Sequence, residues 1–481
     1  MMKKLRLKTL VLGALLLSLD ACTSIVDVTD LVDANALAKI DINETLSLVE
    51  RDAKWWALFE DSDLNRVIET ALANNPNLDI ARANVASAYA VFRDANNNGL
   101  PMGEVSLNYT SQNQVIPGFT DERIDVEIYQ LGGGLNWSLD LFGRLDYAAQ
   151  AAQADAQAQY LTFRDVQVGI TAQVATTYAQ YRGAIARHEF AQRNLAVLQQ
   201  TQNIVQDRSE LGFSSELDRL RIESQVMALE STLPALKIDA IVAKNSLASL
   251  LGLAPNEFEI DSSYRKFPAL DRPLALGDAG RLLSRRADVQ IAERQVASAA
   301  ALTLSQRAAL YPDLSIGGFL GFLAPGFGQL NGGNEAWSIA PSLSWQAFDL
   351  DSVRARIDSA EANQLASVAT FQATVLRALA ESQTSLDTYV QVQRQQNILE
   401  QQVSASDAAF EIARLQFEAG IIDLFDLLDV ERSLIDSQDN LERIKSETFI
   451  RVIEVYRSFG GGLIEEDLRP RAIRIAQLQQ L

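Results

Sequence analysis

Three aspartates, Asp423, Asp426 and Asp429, recur at every third position in FEAGIIDLFDLLDVERSL (417–434), an otherwise apolar stretch that follows Gly420. In a helix, successive acids at this spacing are rotated by about 300°, so they share one face and repel one another. Carboxylates so placed can hold a metal, share a proton as an acid–base pair, or favour a helix start through the backbone dipole. Metal or general-acid chemistry usually wants a convergent histidine or cysteine, or an unequal carboxylate pair. The chain has one histidine, His188, inside a long helical pattern, and one cysteine, Cys22. Neither has a second copy to pair with. The glycine runs at 132–134 and 460–462 fall in a strand pattern and at a helix end, not in a phosphate-binding layout. The expectation is a protein that is not an enzyme and carries no catalytic residue, cofactor or metal.

The rest of the chain must explain the acids. Of its 481 residues, 48% are hydrophobic and 22% charged, which is ample for a folded core. Acidic residues outnumber basic ones by 62 to 42, and the net charge of −20 excludes a protein that tracks nucleic-acid phosphates. Residues 1–21 begin with Lys3, Lys4, Arg6 and Lys8, continue through an apolar run from Leu10 to Leu19, and lead to Cys22. That is a bacterial secretory signal peptide, too short for a comfortable membrane-spanning helix. With a single cysteine, no intramolecular disulfide is possible. No later stretch has 18 consecutive apolar residues, so a mature chain that spans a membrane must do so as a β-barrel.

The chain is written twice. Pro76 and Pro101 correspond to Ala287 and Pro312 at an offset of 211, while Trp137, Gly212 and Gly252 correspond to Trp345, Gly420 and Gly460 at an offset of 208. Five anchors with two self-consistent offsets define two tandem structural repeats, about 60–255 and 280–462, with a connector at 256–279 and a tail at 463–481. Each repeat contains two period-2 segments, at about 104–112 and 130–141, then 313–323 and 336–348. In them Val105, Leu107 and Tyr109 alternate with Ser106, Asn108 and Thr110, and Trp337, Ile339 and Leu343 with Ser338 and Ser342. Four strands are too few for a soluble sandwich. They fit a porin-like wall, apolar outward and polar inward, to which several chains contribute.

Each pair of strands is followed by a helical hairpin, 144–251 and 352–459. Its outward arm of 68 residues (144–211, 352–419) would be roughly 100 Å long. The arm returning over 214–251 is expected to be continued by a helix at 278–311, and that over 421–459 by a helix at 62–97, closing a ring of antiparallel helices. Alanine-rich stretches such as AAQAAQADAQAQ allow close side-by-side packing into a tube. A long soluble coiled coil would not explain the strand pairs.

These segments resemble the TolC-type outer-membrane efflux channel family, particularly its NodT-like lipoprotein branch serving resistance-nodulation-division (RND) pumps. The likeness rests on WWALFEDSDLNRVIETALANNPNL (55–78), WSLDLFGRLDYA (137–148), LGFSSELDRLRIESQV (211–226), LLSRRADVQIAERQVASAAA (282–301) and YRSFGGG (456–462). It implies a mainly α fold with a small β-barrel portion, in which a homotrimer forms a twelve-stranded outer-membrane barrel continued by a long periplasmic α-helical barrel. The implied function is the passive, tip-gated exit duct of a tripartite small-molecule efflux pump, partnered by a periplasmic membrane-fusion adaptor, an inner-membrane RND-type pump and outer-membrane lipid. LDAC (19–22) looks like a lipobox, making Cys22 the lipidated residue at the head of an N-terminal segment 22–60, although Asp20 replaces the usual small residue. Ala287-Asp288 stands where the family has Pro-Asp, and Asp351 where it has glycine.

The resemblance also assigns the tip. The family's Asp-x-x-Asp pair at the entrance constriction falls on Asp426 and Asp429, and its first-repeat aspartate on Asp218. In a trimer each would form a ring of three carboxylates in a pore, where water and cations screen the repulsion. The family's arginine and aromatic hydroxyl of the closed state are replaced by Ile422 and Phe417, so apolar packing is expected to hold this tip shut. Adaptor contact is expected at the two turns, through Gly212, Phe213 and Ser214, and through Gly420 and Ile421. A type I protein-secretion duct and a non-conducting periplasm-spanning scaffold lipoprotein remain as alternatives.

Overall fold

A computed structural model describes residues 46–47, 54–115, 118, 121–267, 274–275 and 285–461. The signal segment, Cys22 and the tail 463–481 lie outside the described residues. In chain order the elements are β1 (Leu46–Ser47), α1 (Ser62–Asn74), α2 (Pro76–Asn97), β2 (Met102–Gln114), β3 (Ile124–Leu139), α3 (Arg144–Glu210), α4 (Glu216–Glu230) and α5 (Thr232–Leu250). There follow β4 (Leu274–Ala275), α6 (Ala287–Ala308), β5 (Asp313–Ala324), β6 (Glu335–Ser344), α7 (Leu350–Glu418) and α8 (Leu424–Ser458). The long arms α3 and α7 contain 67 and 69 residues.

Two expected helices are divided. The pattern over 62–97 is broken at Asn75, whose extended backbone lets its side chain accept from the Asn77 amide at 2.8 Å while Pro76 takes the first helical position. The return arm over 214–251 is broken between α4 and α5. Pro234, in the first turn of α5, has no N–H to give to the carbonyl four residues back, so a new helix start costs less than an interrupted old one. The strands also differ in extent. β3 begins at Ile124 because its ladder with β2 runs from Met102 opposite Asn136 to Gln114 opposite Ile124. β6 stops at Ser344, before Trp345 turns its indole Nε1 to donate to Leu310 O at 3.0 Å.

The joints between helices correct the expected ring. Asn75 Nδ2, at the start of α2, donates to Leu250 O at the end of α5 (2.7 Å). Arg286, at the start of α6, donates to Ser458 O at the end of α8 (3.0 Å). Each return arm is therefore continued by the short helix of its own repeat, α5 by α2 and α8 by α6, and not by that of the other. Chain counts could not decide this, because α2 and α6 are both 22 residues long. At each joint a left-handed glycine lets the backbones meet. Gly252 (φ 71°) lies against the Asn74 backbone, where a Cβ would come within 2.5 Å of its carbonyl oxygen; Gly460 (φ 86°) lies against Arg285.

The four long strands form one antiparallel sheet in the order β2-β3-β5-β6. The register puts Leu107 opposite Leu131, Leu131 opposite Phe322, and Leu320 opposite Trp337, so one face is apolar across the whole sheet. On that face Val105, Leu320, Trp337, Ile339 and Leu343 are exposed. Ser106, Asn108, Ser315, Ser338 and Ser342 lie on the other face, interspersed with Ile128 and Phe319, and Ser315 and Ser342 are hydrogen bonded across strands at 2.8 Å. The repeat symmetry extends to the sheet base: Trp137 Nε1 donates to Gly99 O at 3.2 Å as Trp345 does to Leu310 O.

Two apolar cores hold the helices. The larger gathers Trp55, Trp56 and Phe59 around the middle of α3 and the C-terminal end of α8, with Trp55 stacked on Tyr456 at 5.5 Å. There the Tyr178 hydroxyl donates to Asp61 (2.6 Å), the residue that caps α1. The smaller core lies at the far end of the hairpins.

Candidate functional site at the hairpin tips

The two turns at this end are built alike. Phe213 N donates to Arg208 O (2.7 Å) and Gly212 N to Ser209 O; Ile421 N donates to Gln416 O (2.8 Å) and Gly420 N to Phe417 O. Both are Schellman closures that require a left-handed residue, supplied by Gly212 (φ 81°) and Gly420 (φ 75°). Ser214 is half-buried, whereas Phe213 and Ile421 project with 76% and 71% of their surface exposed. Leu211 and Phe425 are exposed beside them. Apolar side chains gathered on two neighbouring turns form a surface suited to a protein partner.

After the turns the repeats diverge. Ser215 caps α4 in a capping box: Asp218 accepts from Ser215 N (3.0 Å) and Oγ (2.7 Å), while Ser215 Oγ accepts from Asp218 N (3.2 Å). The Asp218 carboxylate is thus bound to its own helix start. In the second repeat Asp423 is the cap and accepts from Asp426 N at 3.0 Å. Its acid is explained by helix initiation, leaving the Asp426 and Asp429 side chains exposed about one turn apart. The structure therefore separates the acids by role: Asp218 and Asp423 cap helices, and Asp426 and Asp429 present charge.

Behind these acids, Leu198 and Val205 of α3, Ile222 and Val226 of α4, Phe410, Ala413 and Phe417 of α7, and Leu424, Leu427, Leu428 and Leu434 of α8 form the tip core, with Ile422 packed against it. Phe417 is only 5% exposed. Lacking a hydroxyl, it is engaged differently. The Arg208 guanidinium lies over its ring at 4.8 Å, and Nη1 donates to its carbonyl oxygen at 3.0 Å. Arg208 joins the first hairpin to the second, and sequence reasoning missed it because the corresponding Gln416 offers no matching signal.

Also missed was Glu431. It lies three residues after Leu428 and three before Leu434, on the apolar stripe of α8, and is 3% exposed. Neither carboxylate oxygen has a hydrogen-bond partner, and burial pushes its pKa up to about 7. An acid at an apolar-stripe position was the available signal. Among the described residues, no His, Cys, Asp and Glu cluster could hold a metal ion, and no helix is long and apolar enough to cross a membrane.

Comparisons with known proteins accord with this geometry. A family model described as outer membrane efflux protein matches residues 67–253 and 279–461. The pyoverdine export outer membrane protein OpmQ of Pseudomonas putida is 29% identical across 85% of this chain and 88% of its own length. The solvent efflux pump outer membrane protein SrpC of the same species is 29% identical across 84% and 86%. Among solved structures, the outer-membrane channel OprN superposes with a TM-score of 0.83 at 34% identity, covering 89% of this chain and 96% of that one. The outer membrane protein VceC of Vibrio cholerae, at 24% identity and covering 86% and 99%, shares the fold with a TM-score of 0.78.

Proposed function

This chain belongs to the outer membrane efflux protein family, and from that premise we propose that three copies assemble into the exit duct of a tripartite efflux pump, carrying small molecules passively across the outer membrane. The observation that carries the reading is the sheet. Its four strands have one continuous apolar face and, among the described residues, two unpaired outer edges, on β2 and β6. Unpaired edges are not tolerated in lipid, and four strands cannot close on themselves. Three copies give twelve strands, a closed wall with lipid outside and the serine-lined face within. A periplasmic scaffold has no use for such a sheet.

In this reading the repeats 60–255 and 280–462 line the barrel and a helical tunnel extending into the periplasm, and Cys22 carries lipid that anchors the chain to the same membrane. Asp426 and Asp429 form carboxylate rings at the tunnel entrance, favouring cations. Ile422 and Phe417 hold the tip shut by apolar packing, with Asp218 securing the start of α4. The turns at Gly212, Phe213 and Ser214, and at Gly420 and Ile421, receive a periplasmic adaptor that connects to an inner-membrane pump of the RND type. Photo-cross-linkers placed at Ser214 and Ile421 are expected to capture that adaptor, whereas one on the exposed face of Leu365 is not. Capture from neither turn in cells that export substrate through this chain would overturn the docking assignment.

A further inference from the structure

Glu431 presents a problem that the duct reading does not solve. Its carboxyl is enclosed by the tip core of a single chain, so no second copy can reach its oxygens once the tip is packed. A leucine there would pack at less cost, since an ionised carboxylate without partners is among the most expensive groups to bury.

The surrounding helices offer no counter-charge. At this level on α3 stand Leu198 and Thr201, whose hydroxyl is spent on Val197 O; farther along, Asp207 is exposed and Arg208 lies over Phe417. On α4, Arg219 pairs with Glu216 and Glu223, Arg221 lies over Phe425, and Glu230 is exposed. On α7, Arg414 pairs with Glu411 and Glu418, and Asp407 is exposed. On α8 itself, Arg432 points out to Gln225, and Asp426, Asp429 and Asp436 are exposed. The one perturbation of Glu431 is loss of water.

Resting on the reading of this end as a gate, we propose that Glu431 is a proton-operated latch: the hairpin tips stay packed while its carboxyl is protonated and are driven to splay when it ionises. Ionisation releases the proton to periplasmic water, and the carboxylate recovers its hydration only if α8 moves away from the core. The packed state holds the carboxyl at about 7 and a hydrated one at its ordinary 4.5. Because the packed state binds the extra proton between those values, its advantage is complete below the lower one. It declines as pH rises through the interval, and the loss is complete above the upper value. The packed-to-splayed ratio is expected to fall by on the order of a hundredfold across that window.

The test compares wild type, Glu431→Gln and Glu431→Leu in planar bilayers and by amide exchange of residues 424–434, corrected for intrinsic rates, between about pH 5 and about pH 8. In wild type, open probability and tip exchange should rise with pH; in both variants they should stay low and flat. Glu431→Gln retaining the wild-type profile would overturn the proposal, as would a profile abolished only by Asp426→Asn/Asp429→Asn. A wild type that conducts at no pH but whose tip exchange still depends on Glu431 would sustain the latch and refute the duct.

Discussion

Replacing Arg208 by alanine removes a side chain that ties the first hairpin to the turn of the second. Two contacts are lost together, the 3.0 Å bond to Phe417 O and the guanidinium stacked 4.8 Å from its ring. A charged hydrogen bond contributes about 1.5–3 kcal/mol, and a half-exposed cation–π contact about 0.5–1 kcal/mol. Arg208 is half-buried, so the lower end applies, and the loss is about 2 kcal/mol, or about a thirtyfold shift towards splayed tips. Closed-state lifetimes in planar bilayers should shorten accordingly, with faster amide exchange at Ile421 to Leu428. Arg208→Lys keeps the charge without the planar fork and should recover only part of the effect. Unchanged lifetimes and unchanged exchange in Arg208→Ala would refute the idea that this contact holds the hairpins together.

Gly252→Ala should be far more damaging than Gly212→Ala, although both glycines are left-handed. The first adds a Cβ 2.5 Å from Asn74 O to the backbone strain, about 3 kcal/mol or more, and the second meets open space and costs about 1 kcal/mol. Equal losses of thermal stability in the two variants would contradict the joint described for α5 and α2. Ile422→Ala trims a half-buried contact with the tip core, about 1–2 kcal/mol, and should raise basal conductance and drug permeability. If neither changes, apolar packing does not hold the tip.

Much of the architecture was legible because duplication leaves corresponding residues at constant spacing. Trp137 and Trp345 make the same bond to Gly99 and Leu310, and Gly212 and Gly420 close the same turn. What escaped was decided by contacts that length and periodicity do not encode. Equal helices at α2 and α6 left their stacking partners undetermined until Asn75 and Arg286 were seen bonded to Leu250 and Ser458. The break before α5 was signalled by Pro234, but the helical pattern on either side concealed it. At the tip, the spacing of Asp423, Asp426 and Asp429 showed a common face, yet only the cap geometry separated Asp423 from the other two. Glu431 stood in the apolar stripe throughout, inconspicuous among so many acids.

Single-channel recording of the purified oligomer in a salt gradient tests the central claim most directly, comparing wild type with Asp426→Ala/Asp429→Ala. A small, cation-selective conductance in wild type, which grows and loses selectivity in the variant, is the predicted result. A folded oligomer that never conducts, or one whose anion-selective reversal potential is indifferent to both aspartates, would contradict it.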